Sequence, residues 1–213
     1  MFFVGHEGDG VNNVYYRRGP LYNFIMKITT KMGDKGETSL FGGRRVGKAS
    51  RIIDVIGELD ELQAVVGWCG VWAAPEATQV GVVTSRRLRI KKILAVVEDD
   101  LYRIMSIVGF EFKCPKNIKP IDEEDIERLE KEIEKYEKWW EWKENGRENG
   151  TARRRRAFVR PGKSEISARL HIARTVCRRA ERGMAGQKPA VPVFILKYLN
   201  RLSDLLFIMA CAA

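Results

Sequence analysis

The segment "SEISARLHIARTVCRRAERGM", residues 164–184, decides the fold class. Its small and apolar side chains recur every three or four positions, and this spacing places them on one face of an α-helix. The resulting stripe comprises Ile166, Leu170, Ala173, Cys177, Ala180 and Met184. The sequence therefore predicts a helix from about Ser164 to Met184 whose stripe faces a core.

Four other segments show the same helical periodicity. They cover residues 51–73, about 85–108, the stretch from the capping residue Asp122 to Trp140, and about 191–212. Short connections between such helices favour antiparallel neighbours. The fold predicted is all-α, a five-helix antiparallel bundle, with residues 144–157 as its long internal loop and a glycine-rich segment at its N-terminal side.

Length and composition exclude several classes of protein. A chain of 213 residues is of the size of one domain, and it has no apolar run near the ~18 residues of a membrane span. Two histidines and cysteines without a CxxC pair argue against a metal centre, and the same cysteines indicate no disulfide framework. These features predict a cytoplasmic protein without protein ligands for a metal. The cysteines are Cys69, Cys114, Cys177 and Cys211.

The net charge of +10 is partly concentrated on the helix of residues 164–184. Arg174, Arg178 and Arg182 follow one another at four-residue intervals beside the apolar stripe, with Glu181 between them and Arg179 next to them. Guanidinium groups at the edge of a core need anionic partners. Salt bridges between helices or subunits would satisfy them, and so would a bound polyanion. Nucleic acid is the weaker reading, because no helix-turn-helix, zinc-knuckle or RNP-like pattern is recognisable.

Polar side chains on two other helices complement these arginines. In "IGELDEL" Asp60 shares a face with apolar residues, so we expect a partly buried carboxylate that needs a guanidinium partner. In the last helix Asn200 and Asp204 lie on one face with Leu196 and Phe207. These two polar groups are either satisfied within the core or contact a ligand.

The glycine-rich segment "TKMGDKGETSLFGGRRVGK", residues 30–48, contains neither GxxxxGK[ST] nor GxGxxG. Its glycines allow backbone amides to turn toward an anion, and Lys31 and Lys48 add positive charge. The segment therefore reads like a phosphate-binding loop of an uncommon type.

Five stretches in order carry a family resemblance. They are "TKMGDKGETSLFGG" with Lys48, "IGELDEL", "FVRPG", "ARTVCRRAER" and "YLNRLSD". They are distributed over most of the range of residues 26–209, and the chain closely resembles the PduO-type ATP:cob(I)alamin adenosyltransferases. The resemblance implies a homotrimer with active sites between subunits. It also implies that cob(I)alamin or a related corrinoid attacks C5′ of ATP, assisted by Mg²⁺, and that triphosphate leaves.

The resemblance also implies roles for individual residues. Asp60 and Arg174 match a salt bridge across the subunit interface, Arg178 reaches the phosphates, and Phe158 lies against the corrin and keeps cobalt's lower face free of ligand. The implied nucleotide-binding set is Thr30, Lys31, Met32, Gly33, Thr38, Ser39, Lys48, Arg178, Arg179, Ala180, Glu181, Arg182 and Asn200. A flavin-type reductase and an adenosylcobalamin-dependent acceptor enzyme are the implied protein partners.

Some features depart from the family pattern. Residues 1–25 precede "MKITTK", which looks like a natural start, so we expect a disordered or non-native extension followed by a single domain at residues 26–213. Arg160 and Lys163 add charge near the expected corrinoid site, and Ala213 directly follows the fifth helix, where some relatives continue. Two other readings stay open: a non-catalytic carrier of ATP or corrinoid on the same bundle, and a basic helical nucleic-acid binder.

Overall fold

Five helices form the computed structural model, which describes residue 29 and residues 31–73, 85–145, 159–187 and 190–213. The helices are α1 (Arg51–Ala73), α2 (Ser85–Gly109), α3 (Glu123–Asn145), α4 (Glu165–Ala185) and α5 (Val193–Ala212). The predicted all-α class is confirmed. The predicted bounds of α1, α2, α4 and α5 agree with the observed ones to within two residues, whereas α3 continues five residues beyond the predicted Trp140.

Local hydrogen bonds explain where the helices begin. The Ser164 hydroxyl accepts from the Ser167 amide at 3.1 Å and so caps α4. At the start of α3 the Asp125 amide donates to the Asp122 carboxylate at 3.3 Å, and the Asp122 amide donates to the Asp125 carboxylate at 3.2 Å, which is a reciprocal capping arrangement. Helix α5 begins two residues later than predicted because Pro192 takes the N-cap position, with ψ at 130°.

The packing order around the bundle is α2, α1, α4, α5 and α3, since α1 packs against α2 and α4 while α5 packs against α4 and α3. Helices α1 and α4 run antiparallel. The Gln187 side chain donates to the Arg51 carbonyl at 3.2 Å, and at the other end Arg169 donates to the Trp68 carbonyl at 3.1 Å. The six stripe residues predicted for α4 are all buried in the core. On α2, the apolar side chains of Leu88 and Val96 are exposed.

A buried polar network ties α2, α3 and α5 together. The Tyr198 hydroxyl donates to Asp100 at 2.7 Å, and Arg128 donates to Asp100 at 2.5 Å and to Asp125 at 2.9 Å. Arg103 pairs with Asp125 and lies 3.6 Å from Asp100. Both carboxylates are almost completely buried, so each depends on these donors for its stability.

A small hairpin, which the sequence analysis did not predict, precedes α1. Strand β1 (Glu37–Ser39) pairs with β2 (Arg45–Gly47) in antiparallel register. Gly43 has a φ of 80°, a left-handed conformation that the turn requires and that glycine adopts at little cost. Leu40 is buried in the core, and the Phe41 amide donates to the Gly109 carbonyl at 3.0 Å. The hairpin is therefore attached to the C-terminal end of α2.

The described helices include none that is both long enough and apolar enough to cross a bilayer. All four cysteines are free thiols; only Cys114 is exposed. Burial raises the pKa of the Cys69 thiol to about 11, which keeps it protonated and unreactive at neutral pH.

Candidate functional site

The glycine-rich segment and the last turns of α4 lie at the same end of the bundle. The hairpin leads directly into α1, whose first residue is Arg51. Gln187, just after α4, donates from its side-chain amide to the carbonyls of Arg51 and Gly183, both at 3.2 Å. The antiparallel packing of α1 and α4 thus places residues from the two motifs near each other, although they are far apart in the sequence.

Within the glycine-rich segment, the structure brings Lys48 against Gly33. The Lys48 amide donates to the Gly36 carbonyl at 2.8 Å. Its side-chain nitrogen lies 3.0 Å from the position that a Cβ would take at Gly33. Lys31 and Met32 are exposed, and Lys31 has a left-handed φ of 59°. The lysine ammonium groups of this segment can therefore reach an anion from solvent.

Thr38 and Ser39 lie in strand β1, where they are half-buried. They pair with Val46 and Arg45 of β2. Thr30 lies outside the described residues, so its predicted nucleotide contact has no structural counterpart here.

Two of the α4 arginines differ from expectation. Arg178 and Arg182 are exposed rather than set at the edge of the core. Neither has an ion pair within the part of the chain that the structure describes. The reason is that, among the described elements, α4 packs mainly against α1 and α5, which leaves one side of the helix open in a single chain. Both guanidinium groups are consequently accessible to a polyanion.

Arg179, by contrast, is engaged by α1. Its guanidinium pairs with Glu61, and its Nε lies 3.9 Å from Glu58 Oε1. These two carboxylates were not among the predicted site residues. Their position in the sequence could have indicated a contact with α4, because Glu58 and Glu61 flank the buried Leu59 on a helix that packs against α4.

A hydrogen bond joins two predicted site residues on neighbouring helices. Asn200 on α5 donates to Glu181 Oε1 on α4 at 3.2 Å, and its carbonyl oxygen accepts from Arg201 at 2.5 Å. Asn200 and Glu181 are half-buried. Ala180, the other predicted contact in this turn, is fully buried, and its methyl group packs in the core.

The predicted partial burial of Asp60 is wrong. Its side chain is exposed, as is Ala64 one turn later on the same face of α1. The buried face of α1 contains Leu59 and Leu62 instead, because α2 and α4 both pack there. Arg174 is half-buried, and its guanidinium carbon lies 5.8 Å from the centre of the Phe207 ring.

His171 is buried one turn before Arg174. Its ring meets the Phe207 ring edge-on at 6.1 Å between centroids. Neither ring nitrogen has a hydrogen-bond partner among the described residues. Burial lowers the pKa of His171, and the nearby charges of Arg174 and Lys163 lower it further. His171 is therefore neutral in the folded protein at neutral pH.

This lowered pKa predicts an acid-sensitive stability. Because the unfolded chain binds a proton to His171 more readily than the folded one does, the contribution is complete above the unfolded pKa near 6.5 and is lost as pH falls through the folded pKa. We expect the free energy of unfolding, measured by urea denaturation between pH 8 and pH 5, to fall by up to ~1.4 kcal/mol per pH unit from this source. His171→Leu should flatten the profile, whereas His6→Gln should retain it. A slope that is unchanged in His171→Leu would contradict the assignment.

Among the described residues, no group of three or more His, Cys, Asp or Glu side chains is arranged to hold a metal ion. Phe158, predicted to lie against a corrin, falls outside the described residues. Lys163, close to it in sequence, lies 5.2 Å from the centre of the Trp140 ring.

The chain is similar to several proteins named as cobalamin or corrinoid adenosyltransferases. It is 33% identical over 194 residues to the cobalamin adenosyltransferase of Cupriavidus metallidurans, and the aligned region covers 88% of each chain. It is 32% identical over 190 residues to the corrinoid adenosyltransferase PduO of Salmonella typhimurium, with 88% of this chain and 49% of that protein covered. The chain thus spans about half the length of that PduO relative.

Solved structures show the same fold. A variant of the PduO-type ATP:corrinoid adenosyltransferase of Lactobacillus reuteri, complexed with cobalamin and ATP, superposes with a TM-score of 0.66 at 23% identity over 87% of this chain and 90% of that one. A second variant, complexed with ATP, has a TM-score of 0.62 at 25% identity, with 86% and 92% covered. The model of the family described as cobalamin adenosyltransferase matches residues 28–213. The predicted resemblance is confirmed: the chain belongs to the cobalamin adenosyltransferase family.

Proposed function

We propose that this protein transfers the 5′-deoxyadenosyl group of ATP to cob(I)alamin or a related corrinoid and releases triphosphate. One observation carries the proposal besides family membership. Arg178 and Arg182 are accessible at the end of the bundle where Lys48 packs against Gly33. Cationic groups from two distant motifs therefore lie at the same end of the bundle, and a polyphosphate requires such a concentration of positive charge.

The role of these groups follows from the charge that the reaction creates. A reduced cobalt centre is itself a strong nucleophile, so the protein needs no activated serine or cysteine. It must instead stabilise the negative charge that grows on triphosphate as it departs, and preorganised cations do this most effectively. Arg178, Arg182 and Lys48 would neutralise the phosphates, and holding C5′ in line with the metal would supply the rest.

We propose that Mg²⁺ enters this site with ATP. The described residues offer no cluster of carboxylates for a resident ion, which fits a metal ion held mainly by phosphate oxygens. When bound, Mg²⁺ would supply further neutralisation of the triphosphate.

We propose a homotrimer whose sites lie between subunits. Asp60 is exposed on α1, while the guanidinium of Arg174 is half-buried and its Nε has no hydrogen-bond partner among the described residues. A carboxylate from a neighbouring copy would satisfy this arginine. We propose Asp60 as that carboxylate. The Arg174 Nε that has no partner within the described chain supports an interface that is incomplete in one chain.

Charge reversal tests this bridge. We expect Asp60→Arg and Arg174→Asp each to weaken assembly at least tenfold, since close charge pairs across interfaces couple by about 1.5–7 kcal/mol. Combining both changes should restore much of the assembly, because the pair is then reversed rather than broken. Sedimentation over a range of protein concentrations measures this. Normal assembly of both single variants, or no recovery in the double variant, would refute the bridge.

The remaining assignments are also proposals. Phe158 would lie against the corrin and keep water from the cobalt, so that cobalt(II) is reduced more easily. A flavin-type reductase would deliver the electron, and an adenosylcobalamin-dependent enzyme would accept the product. We place the protein in the cytoplasm, an assignment that its four free thiols support.

One assay tests the function directly. The protein is mixed with ATP, Mg²⁺ and chemically reduced cobalamin, and the products are analysed for a light-sensitive cobalt–carbon species together with inorganic triphosphate. We expect both in equal amounts. ATP binding without either product would favour a non-catalytic carrier instead.

A further inference from the structure

Two carboxylates of α1 hold one arginine of the candidate phosphate site. Glu58 and Glu61 are three residues apart, so their side chains lie on the same side of α1. Arg179 Nη2 pairs with Glu61 Oε2, and Arg179 Nε lies 3.9 Å from Glu58 Oε1. The third guanidinium nitrogen, Nη1, forms no hydrogen bond with another of the described residues.

The position of Glu58 depends on a close approach between α1 and α4. Gly183 lies opposite, and a Cβ added there would overlap Glu58 Oε2. The same oxygen is buried and has no hydrogen-bond partner among the described residues. Burial raises the pKa of the Glu58 carboxyl, although Arg179 opposes that shift. The close packing of α1 against α4 keeps the Glu58 carboxylate in this unfavourable environment. The missing side chain at Gly183 leaves the space that the carboxylate occupies.

The Glu58 carboxylate also lies close to Arg182, one of the two exposed arginines. Both Arg179 and Arg182 act electrostatically on Glu58. Two opposite effects on a polyphosphate therefore follow. As negative charges, Glu58 and Glu61 repel the phosphates; as anchors, they hold Arg179 in one place and reduce the entropy that it loses when it binds.

We propose that Glu58 and Glu61 are positioning residues of the phosphate site, which fix Arg179 on α1 so that its free edge meets a phosphate oxygen of the triphosphate. This inference rests on the proposed function. A guanidinium has five donor hydrogens in a rigid planar fork, so it can bind carboxylates along one edge and phosphate along another. Gly183 contributes to the same positioning because its lack of a side chain leaves room for the Glu58 carboxylate.

The sign of a binding change distinguishes anchoring from repulsion. We measure the affinity for inorganic triphosphate by calorimetry, and the KM values for ATP and for cobalamin, in Glu58→Gln and Glu61→Gln. If anchoring dominates, triphosphate binding weakens about tenfold in each variant and the KM for ATP rises, while the KM for cobalamin is unchanged. Gly183→Ala should also weaken triphosphate binding, because the added methyl group displaces the Glu58 carboxylate without any change in charge.

A matched control removes a carboxylate elsewhere. Glu134 lies exposed on α3, where it pairs with Lys138 at 3.8 Å, so Glu134→Gln should leave triphosphate affinity and both KM values unchanged. Tighter or unchanged triphosphate binding in Glu58→Gln and Glu61→Gln would overturn the inference, since the carboxylates would then act only as repelling charges or not at all. These two variants decide the question even if Gly183→Ala does not fold.

The outcomes also separate this inference from the proposed function. If the unmodified protein forms the cobalt–carbon product but the variants bind triphosphate more tightly, only the positioning role fails. If the unmodified protein neither binds triphosphate nor forms the product, both fail.

Discussion

Arg178→Ala should reduce kcat/KM for ATP by about 10²–10³-fold, the loss typical of removing one preorganised group that stabilises developing negative charge. The Arg178 guanidinium is exposed on the open side of α4 and has no ion pair within the described parts of the chain, so its removal breaks no contact that stabilises the bundle. The loss should therefore fall on the reaction and not on the fold. Steady-state kinetics with varied ATP, together with thermal unfolding of the variant, measure both quantities.

Two further variants sharpen this prediction. Arg178→Lys keeps the charge but loses the planar fork, so its effect should be intermediate. Arg89→Ala removes an arginine that pairs with Glu132 at 2.6 Å, between α2 and α3, and should change kcat/KM by less than about twofold. An unchanged KM for ATP and an unchanged turnover in Arg178→Ala would remove this residue from the phosphate site.

Asp100→Ala should cost about 3–5 kcal/mol of folding free energy, a large part of the ~5–15 kcal/mol that stabilises a typical domain. Asp100 is 2% exposed and accepts from Tyr198 and Arg128. Its removal leaves the charge of Arg128 without one counter-charge and the buried Tyr198 hydroxyl without its acceptor. Urea denaturation followed by circular dichroism measures the loss, and the melting temperature should fall by roughly 10 °C.

The control for Asp100→Ala is a variant that breaks an ion pair on the surface of the same bundle. Lys131 and Glu127 lie 3.1 Å apart on α3 and are both more than half exposed. Lys131→Ala should change the unfolding free energy by less than about 0.5 kcal/mol, because exposed pairs of this kind are screened by water and salt. If Asp100→Ala were no more destabilising than Lys131→Ala, the network would not stabilise the junction of α2, α3 and α5.

The predictions that succeeded depend on neighbours in the sequence. The period of 3.6 residues per turn assigns each side chain of a helix to a face, so the buried stripe from Ile166 to Met184 could be recognised without any other part of the chain. The same is true of the cap at Asp122, which is satisfied by Asp125 three positions away. The order of the motifs was sufficient to identify the family.

The predictions that failed depend on which surfaces meet. Asp60 and Arg178 both lie beside apolar stripes, and a helical wheel cannot tell whether a neighbouring helix covers that flank. The hairpin of residues 37–47 was missed because strands of three residues leave too short a pattern, and the Leu40 and Phe41 contacts that attach it lie far away in the sequence.

The sequence by itself determined the five helices, the buried stripe of α4, the cap at Asp122 and the family, because each of these is encoded over a few residues or in the order of motifs. Only the tertiary structure decided that Arg179 pairs with Glu58 and Glu61, while Arg178 and Arg182 stay accessible. The Arg179–Glu61 pair joins positions 118 residues apart. Such a pairing follows from the register in which α1 and α4 pack, and that register is set by the whole core rather than by any local stretch of sequence.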